Sequence, residues 1–384
     1  MHSYERLFKT LTAEKLTAEK TEGFHRIAII GTGLMGGSLG LALAAKAEVP
    51  GGEVFGFDRD PECLRQALAS GAVTHAASDL QQAVNHADLV VLATPVETIP
   101  MIFAEIVPHL QQGTVVTDIG STKKEIVEAI SKIPADGIHF IGGHPLAGSE
   151  RQGIDAASPS LYAGAFWILT PTDNSDVGSY GKLVRFLTDL DAQVLSLDPA
   201  RHDASLALSS HLPQLISSTL MAFASEVSSA GLPLLAAGGF RDMTRLASSP
   251  SSLWIEIVKQ NRHAIMQMML RFSEAFQQRH RQIENADWES LKSALDEGKL
   301  ARDNMASKPG VRDGELVELV IEIPDRPGAL AEVTTTLGEA RINIEDLAIV
   351  HSPEGGRGVI HLFVGDQAST AARHVLGDKG FVVA

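Results

Sequence analysis

Gly31-Thr32-Gly33-Leu34-Met35-Gly36 lies directly behind the apolar run Ile27–Ile30 and opens a stretch, Leu34–Lys46, of helical composition. That order narrows the fold more than any other feature. A glycine turn between a buried strand and a helix sets the helix N-terminus against the carboxyl end of the strand, the arrangement of an open α/β sheet. Gly31 permits the tight turn, Gly33 lets backbone approach a bound pyrophosphate, and Gly36 lets the helix pack closely on the sheet. The helix N-terminus then presents unpaired N–H groups and a positive dipole end to phosphate.

The pattern downstream agrees. Strands are expected at Arg26–Ile30, Glu53–Asp58, Leu89–Thr94, Thr114–Asp118 and Gly137–Gly142, with helices at Leu34–Lys46, Pro61–Ser70, Val96–Leu110 and Lys123–Ile133. Near-continuous apolar strands separated by helices predict a parallel sheet covered on both faces, a Rossmann-type dinucleotide-binding domain. Phe166–Thr170 and Gln193–Leu197 read as later strands of the same unit. Asp58 ends the second strand, where a carboxylate accepts ribose hydroxyls and repels a 2′-phosphate, which favours NAD. Arg59 beside it offers a phosphate partner, so NADP stays open. Thr94-Pro95 and Asp118-Ile-Gly-Ser121 end further strands at the carboxyl edge, where open α/β sheets bind ligands. Spacing alone makes Ser121 an N-cap for the helix from Lys123, with a contact near the nicotinamide as the alternative.

At 384 residues the chain exceeds one ordinary core. After Asp198 strand patterns give way to long helical stretches. The expected division is an extension over 1–24 carrying the repeat Leu11–Lys15/Leu16–Lys20, the nucleotide domain over 25–198, an all-α domain over 199–305, a linker over 306–314 and a last module over 315–384. In the helical domain one helix is expected over His202–Ala230, stopped at Gly231, and another over Ser251–Ile283, with Ser249 as N-cap and Pro250 at the first helical position. The second helix carries a stripe (Leu253, Ile257, Ile265, Met268, Met269, Phe272, Phe276) that suits core or a dimer interface. The last module reads strand (Leu316–Ile323), helix (Ala329–Glu339), strand (Ile342–His351), strand (Gly358–Gly365), helix (Ala368–Leu376), short strand (Phe381–Val383), a compact βαββαβ α+β unit.

The formal net charge is −15, which argues against a nucleic-acid footprint. Cys63 is the sole cysteine, so no intrachain disulfide framework exists. Without a signal-like or membrane-spanning apolar run, a cytoplasmic location is expected. No Cys/His/Asp cluster has metal-ligand spacing.

Two histidines stand in settings that suit chemistry. His144, in Gly142-Gly-His-Pro-Leu-Ala-Gly-Ser149-Glu150, follows a strand at the ligand edge on a loop shaped by glycine and proline. Imidazole titrates near neutrality and suits a base that takes a hydroxyl proton. His211, in Ser210-His-Leu-Pro213, sits beside a proline kink that fits a lined pocket and a core histidine equally well. His202 begins the same stretch. Gly238-Gly-Phe-Arg241-Asp242-Met-Thr-Arg245 places two arginines at i and i+4, an anion site in an acidic chain if the segment is helical, or a surface pair with Asp242. Trp254 follows.

Together these residues resemble the prephenate dehydrogenase family in the form that carries a C-terminal ACT domain, over residues 26–384. The most specific parts are His144-Pro-Leu-Ala-Gly-Ser-Glu150, Ser210-His-Leu-Pro213 and Gly239-Phe-Arg-Asp-Met-Thr-Arg245 with Trp254. The resemblance implies oxidative decarboxylation of prephenate with NAD. It makes His144 the catalytic base, moves Ser121 from cap to active site and adds His211 to the catalytic set. Arg245 matches the substrate-carboxylate arginine, Glu150 a gating or specificity carboxylate, and Asp242 its supporting partner. Ser149, Gly238, Trp254 and His202 are expected around the substrate. Asp325-Arg-Pro-Gly328-Ala329-Leu330 and Ile342-Asn343-Ile344 are similar to the ACT amino-acid-binding pattern, which implies tyrosine as feedback inhibitor, with a purely dimerising module as the alternative. A homodimer through the helical domain is expected.

Three rivals remain at this stage. A β-hydroxyacid dehydrogenase would carry a lysine early in the helical domain, and none occurs between Arg201 and Leu232. An arogenate dehydrogenase would run the same chemistry on the amino form of the substrate. A non-catalytic sensor of NAD and an amino acid is opposed by the intact His144, Ser121 and Arg245.

Overall fold

The computed structural model describes residues 23–46, 52–148, 151, 153–227, 238–304, 316–324, 326–351 and 357–383. The N-terminal repeat, Ser149, Glu150, Gly231 and Asp325 lie outside the described residues. Two compact units are present. One takes in the described residues up to 227 and from Phe240 to Phe272, the other Gly238, Gly239 and everything from Ser273 onward.

The first unit is built on an eight-stranded sheet. In chain order the strands are β1 (Arg26–Ile30), β2 (Glu53–Phe57), β3 (His75–Ala76), β4 (Leu89–Leu92), β5 (Val115–Asp118), β6 (His139–Pro145), β7 (Phe166–Thr170) and β8 (Gln193–Ser196), and across the sheet they run β3-β2-β1-β4-β5-β6-β7-β8. The order reverses at β1, so a crevice opens beyond the carboxyl ends of β1 and β4. Pleating sends alternate residues to opposite faces. Ile27 and Ile29 enter one buried cluster with Leu39, Tyr162 and Leu183, while Ala28 and Ile30 enter another with Ile99, Phe103 and Ile126. Helices α1 (Leu34–Ala45), α2 (Pro61–Ala69), α3 (Leu80–Val84), α4 (Ile99–Ile106), α5 (Lys124–Ile130) and α6 (Val177–Asp189) accompany the strands.

The sheet is not wholly parallel. β7 pairs with β6 antiparallel, Gly142 opposite Thr170 and Pro145 opposite Trp167. A parallel return needs a crossover, usually a helix. Among the described residues between the two strands there is only the short 3-10 turn Ile154–Ala156, so the chain comes back in the opposite sense. β3 escaped the sequence pattern because it is two exposed residues long.

Helices follow: α7 (Pro199–Leu206), α8 (Leu212–Val227), α9 (Gly238–Thr244), α10 (Ser251–Gln260) and α11 (Arg262–Glu284). The single helix expected from His202 is divided by a π turn, Ala207–His211. Pro213 has no N–H to donate into that turn, and the backbone widens there. The long helix expected from Ser251 is broken at Asn261, whose backbone leaves helical geometry while its amide Nδ2 donates to the Asp203 carbonyl at 2.7 Å and meets His211 Nδ1 at 3.2 Å. Pro250, not Ser249, takes the cap position of α10, with no side-chain cap bond. Arg241 and Arg245 do not share an α-helix, because α9 ends at Thr244 and Arg245 starts a 3-10 turn to Ser248.

The second unit holds α12 (Trp288–Asp303) and a module of β9 (Leu316–Pro324), α13 (Ala329–Glu339), β10 (Asp346–His351), β11 (Arg357–Gly365) and α14 (Asp366–Asp378). Its sheet runs β10-β11-β9, all antiparallel, over a core of Leu319, Ile321, Val333, Leu337, Ile360, Leu362 and Leu376. The last expected strand reduces to one bridge, Val383 with Ile321. β10 starts at Asp346 rather than Ile342. Arg341 turns the chain with φ +56°, and Ile342 N–H bonds back to the Leu337 carbonyl, which closes α13 instead of extending a strand. Among the described residues no helix is long and apolar enough to cross a membrane.

Candidate active site

The glycine loop divides its work between packing and open space. Gly31 has φ +97°, and a Cβ there would lie 2.4 Å from the Ala93 carbonyl oxygen. At Gly36 a Cβ would lie 1.9 Å from the Gly31 carbonyl. Gly33, at the N-cap of α1, meets nothing within 4 Å, and no side chain caps that helix. Open space over uncapped N–H groups is the cradle a pyrophosphate needs, so these residues fit a dinucleotide. Asp58 closes the loop from β2. Its Oδ2 accepts from Thr32 N at 2.7 Å and Thr32 Oγ1 at 3.2 Å, and its Oδ1 from Asp60 N at 2.9 Å. A carboxylate has about four acceptor positions, which leaves one for a ribose hydroxyl. Thr32, expected at the cofactor, is fully buried and serves this clasp instead. Arg59 is exposed at the end of the same strand.

A cavity of about 500 Å³ opens at the carboxyl edge. It gathers Gly33, Leu34, Met35, Thr94, Pro95, Ser121 and His144 from the expected set, and adds Arg151, Leu253 and Glu256.

Ser121 is not the helix cap that spacing suggested. α5 begins at Lys124, and the N–H groups of Lys123 and Lys124 donate to Asp203 Oδ1 and Oδ2 at 2.8 and 3.0 Å. A carboxylate from about 80 residues away thus takes the capping role at this positive helix end. Ser121 is left facing the cavity.

His144 lies within β6 rather than on a loop after it, opposite Ile168 of β7. Its Nδ1 meets His202 Nε2 at 2.8 Å, and His202 Nδ1 meets Asp203 Oδ1 at 2.8 Å. Burial above all, then the neighbouring His202, Lys123 and His211, holds the His144 imidazolium well below the ordinary histidine pKa. Behind it Lys123 and Asp118 form a fully buried ion pair, and Lys123 Nζ also donates to the Gly143 carbonyl at 2.7 Å. Burial pushes the Lys123 pKa down against the pull of Asp118.

Several expected residues are placed differently. His202 is completely buried behind His144, hydrogen-bonded to it and outside the cavity wall. His211 is 2% exposed and held by Asn261, with Trp254 edge-on to it at 6.0 Å, outside the cavity wall. Burial pushes the His211 pKa down to about 4. Asp242 and Arg245 are exposed, and with Gly238 they also lie outside that wall. Asp118, Lys123, Asp203 and Asn261 were missed. Asp203, next to His202, carried no periodic signal, and a lysine reads as a surface residue by default.

In the last module Gly328 has φ +90° at the N-cap of α13, Ala329 is buried and Leu330 is exposed. Asn343 and Ile344 follow the other end of that helix, and Asn343 Nδ2 donates to Glu345 Oε1 at 2.5 Å. The helix between them is eleven residues, about 16 Å, long.

Comparison with known proteins agrees with this architecture. Three family profiles match: "Prephenate dehydrogenase, nucleotide-binding domain" over residues 41–196, "Prephenate dehydrogenase, dimerization domain" over 198–297 and "ACT domain" over 317–372. A prephenate dehydrogenase of Bacillus subtilis is 31% identical over 340 residues, 88% of this chain and 91% of the relative. The crystal structure of prephenate dehydrogenase from A. aeolicus in complex with hydroxyphenyl propionate and NAD+ superposes with a TM-score of 0.68 at 29% identity, over 74% of this chain and 99% of that one. Synechocystis arogenate dehydrogenase gives 0.65 at 29% identity, over 73% and 99%. The two prephenate dehydrogenase profiles, the ACT profile and the 31% identity over 88% of the chain place it in the prephenate dehydrogenase family.

Proposed function

We propose that the protein oxidises prephenate with NAD to 4-hydroxyphenylpyruvate and carbon dioxide, and that tyrosine inhibits it through the ACT module. The observation that carries the reading is the single cavity in which His144 and Ser121 share walls with the open glycine cradle.

A bound NAD supplies the acceptor for the carbinol hydride. His144 takes the hydroxyl proton of the ring carbinol, and Ser121 hydrogen-bonds the same oxygen. With hydride and proton gone, the ring carbinol is a ketone. The ring carboxylate then leaves as carbon dioxide, and its electron pair aromatises the ring and ends on that oxygen. The phenolate takes a proton back, so no net proton is released. Arg245 holds a substrate carboxylate, the usual use of a planar two-pronged cation, and orients the carbinol hydrogen. Glu150 and Asp242 set specificity. The apolar residues left exposed on α10 and α11, among them Ile255, Met266 and Phe276, support a homodimer through the helical domain.

The test is the rate of NADH formation at equal concentrations of prephenate and arogenate. Turnover of prephenate with little of arogenate supports the reading and permits titration with tyrosine. The reverse preference keeps the chemistry and changes the substrate. No rate with either, using NAD or NADP, overturns it.

A further inference from the structure

We propose that His202 and Asp203 form a proton relay behind His144, fixing the catalytic base in the tautomer with a bare Nε2 and sharing the proton it collects. The proposal rests on the reading of His144 as the base, and deepens it.

The Asp203 carboxylate already receives two backbone N–H groups, Lys123 on Oδ1 and Lys124 on Oδ2. It meets His202 Nδ1 as an acceptor, so that nitrogen carries the proton. The remaining nitrogen of a neutral His202, Nε2, is then an acceptor, and it faces His144 Nδ1 at 2.8 Å. His144 therefore donates from Nδ1, and its Nε2 lone pair is free at the ring that lines the cavity. A general base must offer such a lone pair, and the opposite tautomer would present an N–H to the substrate hydroxyl and do nothing.

The same chain accommodates the proton once it arrives. When Nε2 of His144 takes the hydroxyl proton, the Nδ1–H bond can break as an Nε2–H bond forms on His202. His144 is then neutral again, and the positive charge lies on His202 against Asp203. The titratable groups facing His144 are His202, Lys123 and His211. All three oppose a cation on the ring, and Asp203, behind His202, is the counter-charge the relay uses. Asn261 Nδ2 holds the Asp203 carbonyl, so the relay's last member is fixed from α10's end as well. Asp203 thereby positions both partners of the reaction, His144 through His202 and the Ser121 loop through the first turn of α5.

The direct test is ¹⁵N NMR of histidine-labelled protein with NAD bound, His144 being assigned by difference from His144→Asn. The proposal expects a protonated Nδ1 and a bare Nε2 on His144 in the wild type. In Asp203→Asn an amide turned with its NH2 to His202, giving up the Lys123 N–H bond on that atom, donates to His202 and reverses both rings. His144 then shows a protonated Nε2, and kcat/KM falls about a hundredfold or more while KM for prephenate and NAD affinity stay within about twofold. His202→Gln keeps an acceptor for His144 Nδ1, so it keeps the tautomer, but it loses the charge sink, and kcat falls about tenfold. A wild-type His144 protonated at Nε2, or Asp203→Asn with unchanged tautomer and pH profile, overturns the relay. If Asp203→Asn does not fold, the wild-type spectrum and His202→Gln decide. A wild type that shows the expected tautomer but turns over neither substrate sinks the functional reading and leaves the relay.

Discussion

Lys123 and Asp118 pair without exposing either side chain, and the same ammonium reaches the carbonyl of Gly143, the residue before His144. Asp118 Oδ1 in turn accepts from Gly143 N at 3.1 Å. The pair therefore grips both backbone polar groups of the residue that precedes His144. Removing one partner strands a buried charge, which costs about 3–5 kcal/mol. Lys123→Met should lose stability of that order in urea unfolding. A replacement of both, Lys123→Met with Asp118→Leu, should recover a large part of it.

Two glycines of one loop should behave oppositely. Gly36→Ala forces a Cβ against the Gly31 carbonyl, so the backbone must move at a cost of about 1–3 kcal/mol. Gly33→Ala meets no protein atom, so the thermal midpoint should stay put. Its methyl group occupies the space over the helix N-terminus, and NAD affinity should drop about tenfold, or 1.4 kcal/mol. Calorimetry with and without NAD separates the two.

The acid side of the pH profile follows from His144. Its folded pKa lies well below 6.5, so the base stays neutral and kcat/KM holds as pH falls through 6.5, declining only at lower pH. An acid limb above 6.5 would contradict this. Stability has its own window. His211 is held neutral down to about 4, against an ordinary 6.5 in the unfolded chain. Between those values the unfolded state binds the extra proton, so stability declines as pH falls from 6.5 towards 4, by about 3 kcal/mol at full extent. His211→Gln should flatten that part of the urea-midpoint profile.

Arg245 is exposed and spends no stability on its charge. Arg245→Ala should leave the melting temperature unchanged. A charge-assisted bond is worth about 1.5–3 kcal/mol, so KM for prephenate should rise about ten- to hundredfold. An unchanged KM would remove Arg245 from substrate binding.

What could be read in the sequence was local. The glycine loop, the acidic end of β2 and the order of helices and strands leave their marks within a few residues, because propensity and periodicity are short-range. The capping of α5 by Asp203 left none, since its partners stand about 80 residues apart. Spacing alone makes Ser121 a cap for the same reason: it shows a hydroxyl near a helix start and not the distant carboxylate that displaces it. Asn261 is a helix-compatible residue by composition, and only the buried His211 and the Asp203 carbonyl explain why the helix stops there. The reversal of β7 depended on a crossover helix being absent, which a pattern of apolar runs does not report.

His144 belongs to a strand bonded to a neighbour on each side, while Leu253, Glu256 and Arg245 come from short helices after the sheet. In the proposed reaction the base itself sits on the sheet, while Leu253, Glu256 and Arg245 belong to the helices that follow it. Substitutions confined to those helices are expected to change which ring acid is accepted without disturbing proton abstraction, so the scaffold can diversify its substrates while keeping one reaction.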